Sequence, residues 1–372
     1  MSKKIAMKIT GYSVVTPDTT PVEQPKGGFT AETDRRLEIK AVPSDLKEVL
    51  YLERRPSSPA GHPARVFMIN SPGGHFPLVI TETEGDIPPW MFELWVPGEA
   101  PRDLRALAKN LSMDMRARDR AWLKLKLEAL LESEGTPFDM VLPDGSTKRV
   151  GSDAAAVATL VLWRGSQLGT FDNTEKTPLV DAMMSKKEPK TTAEGAAGWS
   201  FDVKNGAVGD DFYMTLKEAT LPDGSIRPVS VWMAGKYPRS LDSLCKALSL
   251  DLRVYTTAWV LKKLDQLIDI AEPNGGFLGP VPGSEKQQWY PSTVAYIATL
   301  IRHRMAKLGL VPAEGQVGAG PVLRLVPLAH AEPSPVAELQ LQGELCGECG
   351  AYAVVKESGC RTCKSCTWSA CS

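Results

Sequence analysis

The chain repeats itself, and that repeat limits what it can fold into. Pro101-Arg-Asp-Leu-Arg-Ala-Leu-Ala-Lys-Asn-Leu-Ser-Met-Asp-Met-Arg116 returns 137 residues later as Pro238-Arg-Ser-Leu-Asp-Ser-Leu-Cys-Lys-Ala-Leu-Ser-Leu-Asp-Leu-Arg253. The same offset carries Ala121-Trp122 onto Ala258-Trp259, and Trp95 and Gly98 onto Trp232 and Gly235. It slips to 140 for Ala158-Thr-Leu-Val161 against Ala298-Thr-Leu-Ile301. A unit of about 110 residues therefore occurs twice, near 61–170 and 200–310.

Each unit reads the same way. Two strands come first, expected at about Phe76 to Thr83 and Trp90 to Val96, and again at Asp211 to Ala219 and Arg227 to Met233. In the second unit Leu221-Pro-Asp-Gly-Ser225 joins them as a turn. A helix follows, with apolar Leu104, Leu107, Ala108, Leu111 and Met115 on one face of a 3.6-residue period, matched by Leu241, Leu244, Cys245, Leu248 and Leu252. Pro101 and Pro238 suit the helix start. A second helix carries Trp122 or Trp259, and a third covers about Asp153 to Arg164 and Pro291 to Lys307. Strands followed by segregated helices predict an α+β unit in two tandem copies. Cys245 sits on the apolar stripe opposite Ala108 of the other copy and reads as a small core residue. The pairs Trp95/Trp232 and Trp122/Trp259 also read as core. Asn274-Gly-Gly-Phe277 reads as a loop matching no phosphate-binding pattern, and Arg302-His303-Arg304 as a solvated basic face.

The remaining boundaries follow from composition. Residues 1–60 form a mixed N-terminal extension, with a short strand or docking peptide at Ile9 to Val15 and a short helix within Ser44 to Tyr51. Residues 171–199 read as a polar linker between the copies, and 311–345 as an Ala/Pro/Gly/Glu-rich flexible linker. As a coil, the second linker spans roughly 30–35 Å on average, enough for the tail beyond it to travel.

That tail, 346–372, holds six of the seven cysteines. It runs Cys346-Gly-Glu-Cys349, then Cys360-Arg-Thr-Cys363-Lys-Ser-Cys366, then Cys371. Two Cys-x-x-Cys knuckles supply the four thiolates of a tetrahedral zinc site. The reading adopted takes Cys346, Cys349, Cys360 and Cys363 as ligands, which leaves Cys366 and Cys371 as a redox dithiol. Arg361 and Lys364 near that pair favour thiolate. The alternative set, Cys346, Cys349, Cys363 and Cys366, leaves Cys360 and Cys371 instead. A purely structural zinc ribbon accounts for four cysteines and not for the other two.

Several classes are excluded by what is absent. A formal net charge of -1 gives no basic field for nucleic acid. The longest apolar run, Ala154 to Trp163, is about ten residues and falls short of the roughly twenty that span a membrane. No apolar stretch follows Met1-Ser-Lys-Lys4, so a cytoplasmic, reducing compartment is expected, where clustered cysteines argue for metal or thiol exchange.

The second unit, linker and cysteine tail resemble the C-terminal region of adenosylcobalamin-dependent class II ribonucleotide reductases. More closely, the chain resembles the small, separately encoded component of split enzymes of that class. The start Lys8-Ile9 … Gly11-Tyr-Ser-Val-Val15, the segment Gly275-Gly276-Phe277 and the helix start Pro291-Ser-Thr-Val-Ala295 share in the likeness. The family's small component has one unit where this chain has two, and here the terminal pair encloses Thr367-Trp-Ser-Ala370. The resemblance implies that Cys366 and Cys371 re-reduce the active-site disulfide of a large catalytic partner. It also implies a structural zinc, adenosylcobalamin only through that partner, and a thioredoxin- or glutaredoxin-type protein that recharges the tail. The chain would then act in reduction of ribonucleotides to deoxyribonucleotides, as an auxiliary component of a ribonucleoside-diphosphate reductase. The rival readings are a zinc-ribbon recruitment module and a general thiol oxidoreductase.

Overall fold

The computed structural model describes residues 39, 41–43, 46–86, 89–172, 176–312, 344–345, 352–357, 360–363 and 368–371. They form a mixed α+β protein with eight helices and several small sheets. The chain divides into two compact units, residues 1–318 and 319–372.

In the first unit a short helix α1 (Leu46–Val49) leads into the antiparallel strands β1 (Ala64–Ser71), β2 (Gly74–Glu82) and β3 (Met91–Trp95), in sheet order β1-β2-β3. Helices α2 (Leu104–Met115) and α3 (Arg120–Leu131), the hairpin β4 (Phe138–Val141)–β5 (Thr147–Val150) and helix α4 (Asp153–Gln167) follow. After the short helix α5 (Pro178–Asp181) the order recurs: β6 (Gly198–Asn205), β7 (Asp210–Thr220), β8 (Ile226–Lys236), α6 (Ser240–Leu252), α7 (Thr257–Ile268), β9 (Phe277–Pro280), β10 (Gln287–Tyr290) and α8 (Thr293–Lys307).

The strands expected from the sequence are β2, β3, β7 and β8. The first strand of each sheet, β1 and β6, was not anticipated. Its exposure shows why: in both, only the last positions are buried, so alternation is weak. The hairpins β4–β5 and β9–β10, only four residues a strand, were also missed.

Local chemistry sets much of this. The pentapeptide Leu-Pro-Asp-Gly-Ser occurs at 142–146 and at 221–225, and each copy closes a hairpin. Leu142 N–H donates to Ser146 O at 2.7 Å, and Leu221 N–H to Ser225 O at 2.8 Å. The Asp oxygen accepts from the Ser amide and hydroxyl in both. Gly145 and Gly224 take φ of 84° and 78°, the left-handed region that costs glycine little. Ser152 and Ser292 cap α4 and α8 alike, each Oγ accepting the amide of the residue three on. Glu82 grips Arg164 through two bonds of 2.6 and 2.7 Å, as Glu218 grips Arg304 at 2.6 and 2.8 Å.

The helices bring the two element sets together. α2 packs against α6 and α7, and α3 against α6. Trp122 and Trp259 meet edge to face, with centroids 6.3 Å apart, and both are fully buried. The stretch expected to be a polar linker is partly interior: Leu179, Ala182, Met183 and Met184 are buried, and Met183 bridges Val254 in antiparallel fashion. Leu50 bridges Ala117 in the same way. The stretch Leu179 to Met184 is apolar but for Asp181, with Lys and Glu close on both sides, and overall composition conceals it.

The second unit contains the four-stranded antiparallel sheet β11 (Glu344–Leu345), β12 (Tyr352–Glu357), β13 (Cys360–Cys363) and β14 (Ser369–Cys371), paired in chain order. The suggested Ile9–Val15 strand lies outside the described residues, as does most of 311–345.

Candidate functional site

Of the six tail cysteines, Cys346, Cys349 and Cys366 lie outside the described residues. Cys360 and Cys363 are the two ends of β13, and Cys371 closes β14. The ladder pairs Cys360 with Cys371 directly, and Cys363 with Val354. An extended strand advances about 3.3 Å per residue, so its ends lie roughly 10 Å apart. Paired residues of an antiparallel ladder have Cα atoms about 4.5–5.5 Å apart, within the span of a disulfide. Because neighbouring strands alternate in direction, the last residues of β11 and β13 and the first of β12 and β14 share one end of the sheet. Cys363 is at that end, whereas Cys360 and Cys371 are at the other. Among the described residues, no group of three or more His, Cys, Asp or Glu side chains is placed to hold a metal.

Cys245 is buried as expected, its Sγ 3.7 Å from Met233 Sδ, and burial pushes its thiol pKa up strongly. Trp122 and Trp259 are core. Trp95 and Trp232 are not: they stand 40% and 56% exposed, because their strands turn those positions to the outer face. The Gly275-Gly276 loop is packed, since a Cβ at Gly276 would meet the Trp289 ring at 2.2 Å. Arg302 and Arg304 are committed to Asp265 and Glu218, so Arg302-His303-Arg304 is not a free basic face.

Two polar clusters in the first unit were not anticipated. In the first, Asp114, Lys126, Asp251 and Lys263 have no exposed side-chain surface. Lys126 Nζ lies 3.0 Å from Asp114 and 2.7 Å from Asp251, and Lys263 Nζ 2.6 Å from Asp114. Trp122 Nε1 donates to Asp114 at 2.8 Å and Trp259 Nε1 to Asp251 at 3.0 Å. Burial opposes charge on Asp251, and the two ammonium groups outweigh it, so its pKa is held low. The sequence contained the signal: both Asp and both Lys lie at the 137-residue offset.

In the second cluster, Arg102 donates to both oxygens of Asp210 at 2.8 Å and lies 3.7 Å from Glu272. Thr293 Oγ1 donates to Asp210 at 2.6 Å, and Ser240 Oγ to Asp103 at 3.2 Å. Asp103 Oδ1 and both Glu272 carboxyl oxygens are buried and receive no donor from another of the described residues, and a proton on Glu272 lets the two carboxyls hydrogen-bond to each other. Burial first, then the adjacent Asp103, pushes Glu272 up to about 8. Burial likewise raises Asp103 to about 6. The cluster therefore holds a proton near neutral pH.

The described residues define an α+β protein: a body with a charge-balanced interior, and a small antiparallel sheet bearing Cys360, Cys363 and Cys371. No helix among them is long and apolar enough to cross a membrane. Comparison with protein-family models, with curated proteins and with solved structures gave no match to this chain.

Proposed function

We propose that this chain is the redox-shuttle component of a ribonucleotide reductase. On this reading it is two copies of an α+β unit serving as scaffold, with a zinc-stabilised tail whose dithiol re-reduces the active-site disulfide of a separate cobalamin-dependent catalytic subunit. The observation that carries it is the tail: six cysteines in 27 residues, two more than one zinc uses. Each ribonucleotide reduced consumes two electrons from a pair of thiols that becomes a disulfide. The tail dithiol attacks that disulfide, passes through a mixed disulfide, and leaves with the oxidised bond. A thioredoxin- or glutaredoxin-type protein returns it to the dithiol.

The register of β13 favours the second ligand set over the first. Ligands of one zinc have sulfurs within about 4 Å of one another, given Zn–S bonds near 2.3 Å. The Cα atoms at the two ends of an extended strand lie farther apart than that suits, whereas Cys363 stands at the sheet end where β11 stops and β12 and β14 begin. Cys346, Cys349, Cys363 and Cys366 then hold zinc, and Cys360 and Cys371, ladder partners, form the exchanging pair.

The test is zinc content with disulfide mapping on the mildly oxidised full chain. One zinc and a Cys360–Cys371 disulfide is expected. A Cys366–Cys371 disulfide would return the assignment to the first ligand set and keep the shuttle. One zinc with no disulfide would replace the shuttle by a zinc-ribbon recruitment module. With the catalytic partner, Cys371→Ser stops multiple turnovers and spares a single turnover.

A further inference from the structure

A cleft of about 740 Å³ opens in the first unit, between strand β3, helix α2, the end of α7 and the segment Glu53–Arg55. That is the size of a small-molecule site. Its lining is cationic: Arg54, Arg55, Arg105, Lys109, Arg116 and Lys262 face Glu53, Glu93, Asp265 and Asp269. Two of those carboxylates are engaged, Glu93 with Arg116 at 3.5 Å and Asp265 with Arg302 at 2.6 Å. Lys109 and Lys262 are half-buried, and neither has an ion pair or hydrogen bond among the described residues. Arg116 is buried with its Nε unpartnered. Arg253 Nε, its counterpart, is likewise buried without a partner, so this donor does not distinguish the two grooves.

The second set of elements shows what such a groove takes. Trp232 and Arg253 are the counterparts of Trp95 and Arg116 at the 137-residue offset. There the chain supplies its own carboxylate: Glu188 Oε1 accepts from Trp232 Nε1 at 3.2 Å and from Lys217 Nζ at 3.1 Å. Its charge also acts on Arg253. The bridges Leu50–Ala117 and Met183–Val254 align the two covering segments at an offset of 133, which sets Arg55 opposite Glu188. Arg55 lies 4.9 Å from the Trp95 ring centroid, stacked on its face. Where one groove holds an internal carboxylate, the other receives a further cation.

We infer that the cleft beside Trp95 binds a small multivalent oxyanion, a polyphosphate or a polycarboxylate, held by Lys109, Lys262 and Arg105. Glu188 occupies the equivalent position beside Trp232, where its carboxylate opposes a second oxyanion. This site is independent of the cysteine tail, and its failure would leave the shuttle reading untouched.

Titration calorimetry on the full zinc-loaded chain tests it, with inorganic tripolyphosphate and with citrate as separate probes at low salt. One saturable site is expected for at least one probe, weakening as salt rises. Binding by only one probe names the source of the oxyanion. Lys109→Gln/Lys262→Gln should weaken it at least about tenfold while thermal melting stays unchanged. Lys246→Gln, the counterpart of Lys109 outside the cleft, should leave it unaltered. Absence of saturable binding by either probe would overturn the inference, as would binding that survives the double substitution. If the double variant melts early, Lys262→Gln alone decides, with a loss of about threefold or more expected and an unchanged affinity overturning it.

Discussion

Asp251→Asn probes the centre of the body. The Asp251 carboxylate accepts from Lys126 at 2.7 Å, Asn110 at 3.1 Å and Trp259 at 3.0 Å, with Lys263 Nζ 4.0 Å away and no side-chain exposure. Asparagine keeps the shape and removes one of two negative charges, leaving two buried ammonium groups on the single carboxylate of Asp114. Breaking a buried pair in this way costs about 3–5 kcal/mol. At about 2–4 °C per kcal/mol for a domain of this order, Tm should fall by roughly 6–20 °C. Adding Lys126→Met restores neutrality with an apolar side chain of similar length. Since a buried pair replaced by apolar groups is often neutral in stability, the double variant should recover at least half the loss. Urea unfolding followed by tryptophan fluorescence reads both, because Trp122 and Trp259 contact the cluster. A single-variant cost under about 1 kcal/mol, or additivity in the double variant, would refute the view that charge balance holds α2, α3, α6 and α7 together.

Two further outcomes follow from buried groups. Glu272 keeps its proton up to about pH 8, well above the ordinary carboxylate range, because it is buried beside Asp103. The folded state therefore binds more protons than the unfolded one between those values. Its contribution to stability is full below about pH 4.5 and is lost as pH rises towards 8, at up to about 1.4 kcal/mol per pH unit. Urea midpoints measured from pH 5 to pH 8 should show this fall, and Glu272→Gln should flatten it; an identical slope in the variant would sink the assignment. Cys245, buried and with its thiol pushed up, should resist thiol reagents at pH 8 in the native protein and react only on unfolding. Native labelling at Cys245 would contradict its core placement.

The sequence carries local determinants for much of the body, those read in advance, such as the 221–225 turn, and those not, such as the 142–146 turn and the serine caps. The Leu-Pro-Asp-Gly-Ser pentapeptide makes the same hairpin turn at 142–146 and 221–225 because its determinants are local: a glycine at positive φ and an aspartate bonding two residues ahead. The apolar stripes of α2 and α6 and the serine caps of α4 and α8 are equally local, and their periods appear in sequence. The clustering of six cysteines is plain in the sequence, and their geometry is not.

Tertiary structure decided the rest. Asp114 and Lys126 lie twelve residues apart on two helices, and in sequence they resemble ordinary solvated charges. They are interior only because α6 and α7 bring Asp251 and Lys263 to complete a neutral set. Asp103 and Glu272 come from two separate stretches, and the proton they hold depends on burial that no local pattern encodes. Trp95 and Trp232 alternate with core residues, and which face of the sheet is covered depends on the helices packed against it. Cys360 and Cys363 have the spacing of a zinc knuckle, but spacing does not distinguish a turn from an extended strand. Pairing with β12 and β14 draws β13 out, because its backbone groups then bond on both sides, and that long-range pairing sets Cys360 beside Cys371.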